Sequence, residues 1–481
     1  MIRRIFIYIC FAVALASCRV SPHDVRQSNS LPDIYPDYTD VTVPVNIAPL
    51  NFLVRGAEAV VVKLGAVTIS NRGEDVVFDE AEWRNLLSSK QGGDIEVSVT
   101  AKFTGVWIAY KPFKWHVVNE KIDPWLTYRL IEPMGDIYGH LRIMQRCLEN
   151  FEEIPISDYH LEGDRCMNCH IPASQDANLS LLYLRGEDGG AVLNQHGKLR
   201  KLNLKTMNMV SNSTYFCFSP SGRYIVFSCN DVIPIYHANP YLRYEVYDTV
   251  SDIYIADIQE NKIFTSPLLK HRDWLETFPT FSPDGKYIYY CTAKKVALPE
   301  EIKKLDYALV RIPFSESTGT IGSMADTLYK EKSVCHPRVS PDGKRLLFTT
   351  QDYGTFPIHH HESDLRMIDL STREVDSLLI VNSNKCDTYH SWSSNSRWFV
   401  FVSKRDDGLY GLPYICYVDE KGVCYKPFCL PQKNPYFYDD NLYSFNVTEL
   451  VNGRVPIDAI KLEDVLKQTQ EEFLNIKAGP S

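Results

Sequence analysis

The stretch Phe278-Pro-Thr-Phe-Ser-Pro-Asp-Gly-Lys-Tyr-Ile-Tyr-Tyr-Cys291 decides the fold of this 481-residue chain. Two short apolar segments flank Ser282-Pro-Asp-Gly285. Proline fixes φ at the second position of a tight turn, and glycine adopts the positive φ that such a turn requires. The stretch therefore predicts two antiparallel β-strands joined by a tight turn.

The same plan recurs along the chain. Copies are found at residues 215–228, 278–291, 336–349 and 390–402. The last copy lacks the proline and the glycine and relies on Asn395, whose side chain can bond its own backbone. A third strand that ends in aspartate follows most copies, at 253–257, 365–369 and 415–419. Four antiparallel strands per repeat, spaced by about 55 to 65 residues, predict a β-propeller of about five to seven blades, six being favoured.

The chain around the repeat divides into segments of different composition. We assign residues 1–18 to a signal segment, 19–44 to a polar tether, 45–150 to a β-rich domain resembling a β-sandwich, 151–177 to a short helical segment, 178–455 to the propeller and 456–481 to a helical tail. Within the β-rich domain, helices are expected around 79–87 and 136–150. The predicted fold class is all-β dominated, with few helices.

The first eighteen residues indicate export. Arg3 and Arg4 precede an apolar run, 5–14, that is too short to span a bilayer. The run ends in Leu15-Ala-Ser-Cys18, an order typical of a bacterial lipobox, in which the Cys18 thiol carries lipid. An ordinary cleavable signal and a short membrane anchor are the alternatives. We expect a lipoprotein of a Gram-negative envelope, at the outer membrane, with its soluble part in the periplasm or at the cell surface.

Composition and motifs disfavour several classes of function. The net charge is −9, and no block of lysine and arginine stands out, so a nucleic-acid partner is not expected. The chain has no Gly-x-Ser-x-Gly elbow, phosphate-binding loop or His-Glu-x-x-His sequence. It therefore indicates neither a hydrolase nor a nucleotide cofactor. Without Cys10 and Cys18, eleven of the thirteen cysteines remain, an odd number in a compartment where disulfides form.

The motif that carries chemistry is Cys166-Met-Asn-Cys-His170, which has the spacing of a c-type haem attachment site. Two thiols at this spacing add to the two haem vinyl groups, and the adjacent histidine is the proximal ligand of the iron. The pattern therefore predicts a haem bound through Cys166, Cys169 and His170. A Cys166–Cys169 disulfide and half of a zinc site are the alternatives.

Further histidines and methionines are candidates for the second iron ligand or for a binding face. His160, Met207 and Met209 are near the motif in sequence. Strand parity places His336 and His390 before the first strands of their blades, and His237 and 359–361 in loops between second and third strands. These loops share one face of a propeller, so we expect the face candidates His237, His336, His360 and His390 to gather there. Hydrogen bonding between blades is the alternative role for each of them.

The Ser-Pro-Asp-Gly repeats over 178–455 resemble those of the TolB-type six-bladed propeller. The whole chain also resembles a group of TolB-like envelope lipoproteins that carry a single Cys-x-Asn-Cys-His. The resemblance rests on Ile34-Tyr-Pro-Asp-Tyr38, Val45-Asn-Ile-Ala-Pro-Leu-Asn-Phe52, Arg165-Cys-Met-Asn-Cys-His170, Asp352-Tyr-Gly-Thr-Phe-Pro-Ile358 and Ser391-Trp-Ser-Ser-Asn-Ser-Arg397. The resemblance implies a fold and a cellular location rather than an activity. The chain departs from the group at His359-His-His361.

The predicted function is electron transfer or redox-linked binding by an envelope lipoprotein with one covalent haem. The expected partners are the membrane, through the lipid anchor, and an envelope protein or redox partner. A haem-free propeller that docks protein or cell-envelope partners without catalysis is the alternative.

Overall fold

The computed structural model describes residues 20–132, 141–158, 167–185, 189–236 and 244–476. It is dominated by β-strands, with three short α-helices among the described residues, which confirms the predicted fold class. Two 3₁₀ turns, Ile302–Lys304 and Pro357–His359, complete the helical content of this part of the chain. No helix in the described ranges is both long and apolar enough to cross a membrane.

The N-terminal domain is built from two sheets and one helix. Its elements are β1 (Arg26–Gln27), β2 (Ile34–Tyr35), β3 (Val41–Pro44), β4 (Phe52–Val54), β5 (Ala59–Leu64), β6 (Val67–Arg72), β7 (Asp75–Val76), α1 (Glu80–Ser89), β8 (Gly93–Phe103), β9 (Val106–Ala109) and β10 (Phe113–Val118). Seven of the strands form a sheet centred on β8, and β2, β4 and β7 form a smaller one. Residues along β8 alternate between exposed and buried, as expected for a strand with one face on a core.

Helix α1 confirms the helix predicted at 79–87. The Asp79 carboxylate caps it by accepting hydrogen bonds from the amides of Ala81 and Glu82, both at 2.9 Å. On its buried face, Trp83 packs edge-on against Trp115, with ring centroids 5.4 Å apart. The Trp83 indole also donates to the Ile47 carbonyl at 2.8 Å. Trp83, together with the buried Leu87, therefore attaches the helix to the core of the domain.

Six sheets form the propeller blades. Blade 1 contains β14 (Met167–Ala173), β15 (Asp176–Leu184), β16 (Gly190–Gln195) and β17 (Lys198–Asn203); blade 2 contains β18 (Ser213–Phe218), β19 (Tyr224–Tyr236), β20 (Tyr244–Asp257) and β21 (Lys262–Phe264); blade 3 contains β22 (Trp274–Phe281), β23 (Tyr287–Lys294), β24 (Ala308–Ser315), β25 (Thr320–Ile321) and β26 (Asp326–Tyr329). Blade 4 contains β27 (Ser333–Val339), β28 (Arg345–Gln351), β29 (Asp364–Asp369) and β30 (Val375–Asp376), and blade 5 contains β31 (Asp387–Trp392), β32 (Trp398–Ser403), β33 (Leu412–Tyr417) and β34 (Phe428–Cys429).

Blade 6 closes the ring by joining the two halves of the chain. Its outer strands are β11 (Trp125–Ile131), β12 (Arg142–Cys147) and β13 (Glu153–Asp158), and its innermost strand is β35 (Ser444–Val451). The register places Leu126 opposite Leu450. Strands β11 to β13 therefore belong to the propeller, although the sequence assigned most of their residues to the N-terminal domain. No local motif signals the pairing of β11 with β35, because the two strands are more than three hundred residues apart in sequence.

Two expectations about helices near the motif differ from the structure. The helix predicted at 136–150 is wrong where the chain is described from residue 142, because Arg142–Cys147 is strand β12, paired on both sides by β11 and β13. Residues 133–140 lie outside the described residues. The described part of the Cys-x-x-Cys-His segment is also strand, because β14 is the innermost strand of blade 1. Pairing within a sheet here overrides local helix preference.

The C-terminal tail combines helix and strand. Helix α2 (Phe437–Asp440) precedes β35, and α3 (Ala459–Leu466) begins the tail. The tail then adds β36 (Glu471–Glu472) to the outer edge of blade 1 and β37 (Leu474–Asn475) to that of blade 2. Up to residue 476, where the description ends, the predicted helical tail is thus helical only over Ala459–Leu466. The added strands cover edges that would otherwise present unpaired backbone groups.

The N-terminal domain packs on blade 5. One buried cluster contains Trp83 and Trp115 from the domain together with Trp398 and Phe401 from the blade. Polar contacts fix the arrangement. The Asp123 carboxylate accepts hydrogen bonds from the Ser394 amide at 2.7 Å and from its hydroxyl at 2.6 Å. These contacts fall on the turn that replaces Ser-Pro-Asp-Gly in the fourth repeat.

Candidate functional site

Five of the innermost strands carry a bulge at the same point. The residues with positive φ there are Tyr215, Phe278, His336, Tyr389 and Val447, with φ between 47° and 51°. The strand registers shift at each of these points. Bulky residues rarely adopt positive φ, and such conformations concentrate at functional sites. The repetition places one side chain from each of these five blades beside the propeller axis.

Four of these side chains form an axial ring, which we define as Tyr215, Phe278, His336 and Tyr389. Ring centroids are 4.2 Å apart for Tyr215 and Phe278, 4.3 Å for Phe278 and His336, and 4.9 Å for His336 and Tyr389. The contacts run from blade to blade in order. Aromatic contacts at these distances stabilise the arrangement beyond their buried area.

The axial ring lines a cavity of about 1560 Å³, a volume that includes its open mouth. Its polar lining is dominated by histidines and cationic side chains: His170, His336, His359, His390, Arg129, Arg185, Arg338 and Lys404, with Glu449 as the acidic member. This axial cavity therefore presents basic side chains and aromatic rings together.

His170, the histidine of the motif, belongs to this lining. It is 7% exposed, and neither Nδ1 nor Nε2 has a hydrogen-bond partner among the described residues. Burial lowers the pKa of His170 to about 3, and the charges of Arg129 and Arg338 act in the same direction, against a smaller opposing effect of the Thr127 backbone. The imidazole is therefore neutral near pH 7, with an unprotonated nitrogen in the wall of the cavity.

His390 faces the cavity with one ring nitrogen occupied. Its Nε2 lies 3.0 Å from the Leu347 carbonyl oxygen, which can only accept, so Nε2 carries the hydrogen. Nδ1 then holds the lone pair, and it has no hydrogen-bond partner among the described residues. Burial and then the charge of Arg338 lower the pKa of His390 to about 3, against the backbone groups of Leu347 and His336. The tautomer of His390 is thus fixed by the fold.

Two arginines and a glutamate form the charged wall of the cavity. Arg338 donates to the Glu449 carboxylate at 2.7 Å, and Arg129 donates to the Asn446 side-chain oxygen at 3.0 Å. Burial raises the pKa of Glu449 to about 7, although the charge of Arg338 opposes the shift. Arg338 and Glu449 are therefore bonded to each other in the wall of the cavity.

The structure gathers some predicted residues and separates others. His336 and His390 lie inside strands β27 and β31, so the prediction that they precede the first strands is wrong. The bulges of these strands bring them to the axis, where they line the same cavity as His170 and His359. Met207 is fully exposed and Met209 is buried in the core of blades 1 and 2; neither lines the cavity.

His360 belongs to a separate buried cluster. Its Nδ1 lies 2.9 Å from Glu362 and its Nε2 lies 3.8 Å from Glu245. The Tyr353 hydroxyl donates to Glu245 at 2.6 Å. Burial acts to raise the pKa of Glu362, but the hydrogen bond and charge of His360 lower it to about 2. His360 therefore connects β20 to the loop after β28 rather than facing the axial cavity.

The other predicted site residues lie outside what the structure describes. Cys18, His160, Cys166 and His237 fall outside the described residues, and for Cys169 only the backbone, in β14, is described. Among the described residues, no group of three or more histidine, cysteine, aspartate or glutamate side chains is placed to hold a metal ion. Nine described cysteines are free thiols.

Sequence reasoning missed Tyr215 and Phe278, although both begin a copy of the repeat. An alignment of the repeat sequences would have placed Tyr215 and Phe278 at the same position as His336, and would have indicated the axial ring. Arg129 and Glu449 gave no such signal, because they lie on β11 and β35, which pair only through ring closure.

Comparisons with known proteins concern the fold. No protein-family model matches the chain, and no curated protein does. Similar solved structures include TolB from Acinetobacter baumannii, with 12% identity over 77% of this chain and 85% of that one, at a TM-score of 0.44. An oligogalacturonate lyase in complex with manganese has 12% identity over 63% and 72% of the two chains, at 0.36. Prolyl oligopeptidase B from Galerina marginata has 11% identity over 64% and 44%, at 0.35.

Proposed function

We propose that this protein is an envelope lipoprotein that carries one c-type haem in the axial cavity and acts in redox-linked binding or electron transfer. The observation that carries the proposal is the environment of His170. Its imidazole is buried and neutral, and within the described residues neither nitrogen has a hydrogen-bond partner, so one nitrogen keeps a lone pair for a metal. The same histidine ends the Cys-x-x-Cys-His motif.

We assign three groups of residues to the haem. His170, in the lining of the cavity, offers the imidazole that would bind the iron, and the motif that it ends offers the thiols of Cys166 and Cys169, which would bond to the vinyl groups. The Arg129 and Arg338 guanidinium groups are the donors in the lining that would contact the two propionate carboxylates. Phe278 and Tyr215 supply apolar surface for a porphyrin. When bound, haem supplies an iron centre that changes its oxidation state by one electron.

The chain's own residues would tune such a site. The axial ring presents aromatic surface in the cavity, and a less polar surrounding alters the reduction potential of a buried metal. His170 stays unprotonated because burial opposes its charged form. The lipobox ending at Cys18 supports export, and export is required because c-type haem is attached outside the cytoplasm.

The test is the mass and colour of the exported protein. We expect the mature protein, made in a host that attaches c-type haem, to weigh one haem more than its polypeptide and to give a pyridine haemochrome spectrum. Cys166→Ala combined with Cys169→Ala should lose both signals. Cys217→Ala, which removes a half-buried thiol outside the motif, should keep them. A colourless wild-type protein with a Cys166–Cys169 disulfide would overturn the proposal.

A second candidate is a haem-free binding protein of the envelope. The observation that favours it is the charged wall formed by Arg338 and Glu449, which suits a polar or anionic ligand without any cofactor. In that case the colourless wild-type protein and the Cys166→Ala, Cys169→Ala variant would capture the same envelope partner after cross-linking. Loss of capture in an Arg338→Gln variant of either form would assign the binding to the cavity.

A further inference from the structure

One lysine of the axial cavity is held without a carboxylate. Lys404, which directly follows β32, and Ile358 both belong to the lining of the cavity. The Lys404 Nζ donates a hydrogen bond to the Ile358 carbonyl at 2.9 Å, and it forms no ion pair with any carboxylate of the described ranges. Lysine side chains that leave bulk water are usually paired with an acid, so this amine is an exception.

A second lysine of this fold shows the same kind of bond in a structural role. Lys201 is buried, and its Nζ donates to the Leu466 carbonyl at 2.6 Å. Leu466 ends α3, and the last carbonyls of a helix lack partners within the helix and attract positive charge. Lys404 differs in both respects, because its acceptor lies in the three-residue turn Pro357–His359 and because its partly exposed side chain lines an open cavity.

The surroundings of Lys404 favour the form of the amine that can act as a nucleophile. Burial lowers the pKa of Lys404, against the opposing effects of the Cys386 thiol and the Asp407 carboxylate. A lower pKa raises the fraction of the amine that has lost a proton and gained a lone pair. The hydrogen bond to Ile358 uses one N–H and leaves that lone pair unoccupied. Desolvated lysines in pockets are the amines that form Schiff bases with carbonyl compounds.

The rest of the lining offers apolar surface for the body of an organic ligand. Val232, Phe278 and Phe356 line the same cavity, and the two phenylalanine rings pack edge-on with centroids 6.5 Å apart. His359 follows the acceptor carbonyl in the chain. Burial lowers the pKa of His359 to about 3, and the charge of Lys404 acts in the same direction, so this imidazole adds no charge near pH 7. A pocket with apolar walls and a few polar groups is typical of sites for small organic molecules.

We propose that the axial cavity binds an aldehyde or a ketone and that Lys404 Nζ forms a Schiff base with its carbonyl carbon. The amine lone pair attacks this carbon, a C–N bond forms, and one amine hydrogen moves to the carbonyl oxygen as a proton. The C–O bond then breaks, the hydroxyl leaves with the second amine hydrogen as water, and a C=N bond replaces C=O. No oxidant or reductant takes part. The inference goes beyond the proposed haem and does not rest on it, because blades 4 and 5 place Lys404 and Ile358.

The test measures which lysines react with a small apolar aldehyde. The full-length exported protein is mixed with butanal and sodium cyanoborohydride, which reduces each Schiff base to a stable butyl amine. Peptide masses then locate the label over time at several pH values. Lys421, exposed in the turn between β33 and β34, is the control for an accessible amine, and Lys201 is the control for a buried one.

We expect Lys404 to be labelled before Lys421 and to keep reacting at a lower pH, while Lys201 stays unlabelled over the same time. Lys404→Arg keeps a positive charge and a donor for Ile358 but should lose the fast label, and Lys201→Arg should keep it. If Lys404 reacts as slowly as Lys201, its amine is only a structural donor and the inference is wrong. The comparison of the three lysines within the wild-type protein decides the matter even if a variant folds poorly.

The haem and the Schiff base are tested separately. The same labelling is carried out on the Cys166→Ala, Cys169→Ala variant, in which no attached haem can cover the amine. Fast labelling of Lys404 in either form supports the inference, whether or not the wild-type protein carries haem. Slow labelling of Lys404 in both forms overturns the inference and leaves the proposed haem untouched.

Discussion

Arg338 and Glu449 form an ion pair of 2.7 Å that links blade 4 to the strand that closes the ring. Arg338 extends from β27, whereas Glu449 belongs to β35, which pairs with β11 from the N-terminal half of the chain. Both residues also line the axial cavity. The closure of the propeller and the charge of its cavity therefore depend on the same contact.

The closing strand is expected to control the stability of the whole molecule. Leu450 in β35 is completely buried, and its replacement by alanine leaves a cavity between β35 and its neighbours. We expect Leu450→Ala to lower the free energy of unfolding by about 2 to 5 kcal/mol. Urea denaturation followed by tryptophan fluorescence measures the change. Leu442→Ala, at a position 68% exposed in the preceding loop, should change it by less than about 0.5 kcal/mol.

Stability should fall as the pH rises from about 4.5 towards about 8. Burial, aided by the charge of Asp252 and opposed by the His271 backbone, raises the pKa of Glu276 from 4.5 to about 8. Across this range the folded state therefore retains a proton that the unfolded state releases. The free energy of unfolding falls as a result. At 1.36 kcal/mol per unit, the cost for Glu276 is on the order of 5 kcal/mol.

Glu276→Gln removes this ionisation and should flatten the pH dependence measured by denaturation at pH 5, 6.5 and 8. The remaining slope belongs to other buried carboxyls, such as Asp248, whose pKa is raised by burial to about 7. The control is Glu96→Gln, which changes an exposed carboxylate in β8. A slope that stays the same in Glu276→Gln would show that this carboxyl is not the one titrating.

The contact of Asp123 with Ser394 is expected to hold the N-terminal domain on blade 5. The carboxylate is 8% exposed and accepts two hydrogen bonds from one residue. Asp123→Ala leaves the Ser394 amide and hydroxyl unpaired, so we expect a loss of about 1 to 3 kcal/mol. A double-mutant cycle with Ser394→Ala isolates the hydroxyl contact, and additive effects would rule out that coupling.

The β19–β20 hairpin should depend on Tyr353 for its position over the cavity. Val232 and Tyr244 of this hairpin line the cavity, and Tyr244 packs edge-on against His359 with centroids 5.0 Å apart. Tyr353→Phe removes the hydroxyl that donates to Glu245 at 2.6 Å, on the same hairpin. We expect faster amide hydrogen exchange over residues 244–250 and no change over Tyr287–Lys294. If exchange over residues 244–250 is as slow in Tyr353→Phe as in the wild type, the assigned contact is contradicted.

Local chemistry made much of the fold predictable. In Ser282-Pro-Asp-Gly285, the Ser282 hydroxyl bonds to Asp284 at 2.6 Å and Gly285 has φ +69°, as the turn predicted from these residues requires. Asp79 likewise marked the start of α1 because a capping carboxylate acts within three residues. His170 was singled out for the same reason, since the motif that contains it spans five consecutive residues.

The sequence by itself determined the elements whose physics is short-ranged: the hairpins of the blades, the capped helix and the motif that ends in His170. Tertiary structure decided which strands share a sheet and which side chains share a cavity. Leu126 and Leu450 carry no local sign that they pair, because a strand's backbone groups bond equally well to any neighbour of suitable register. The charged wall of Arg338 and Glu449 likewise exists only after the ring has closed, since its two strands meet nowhere else.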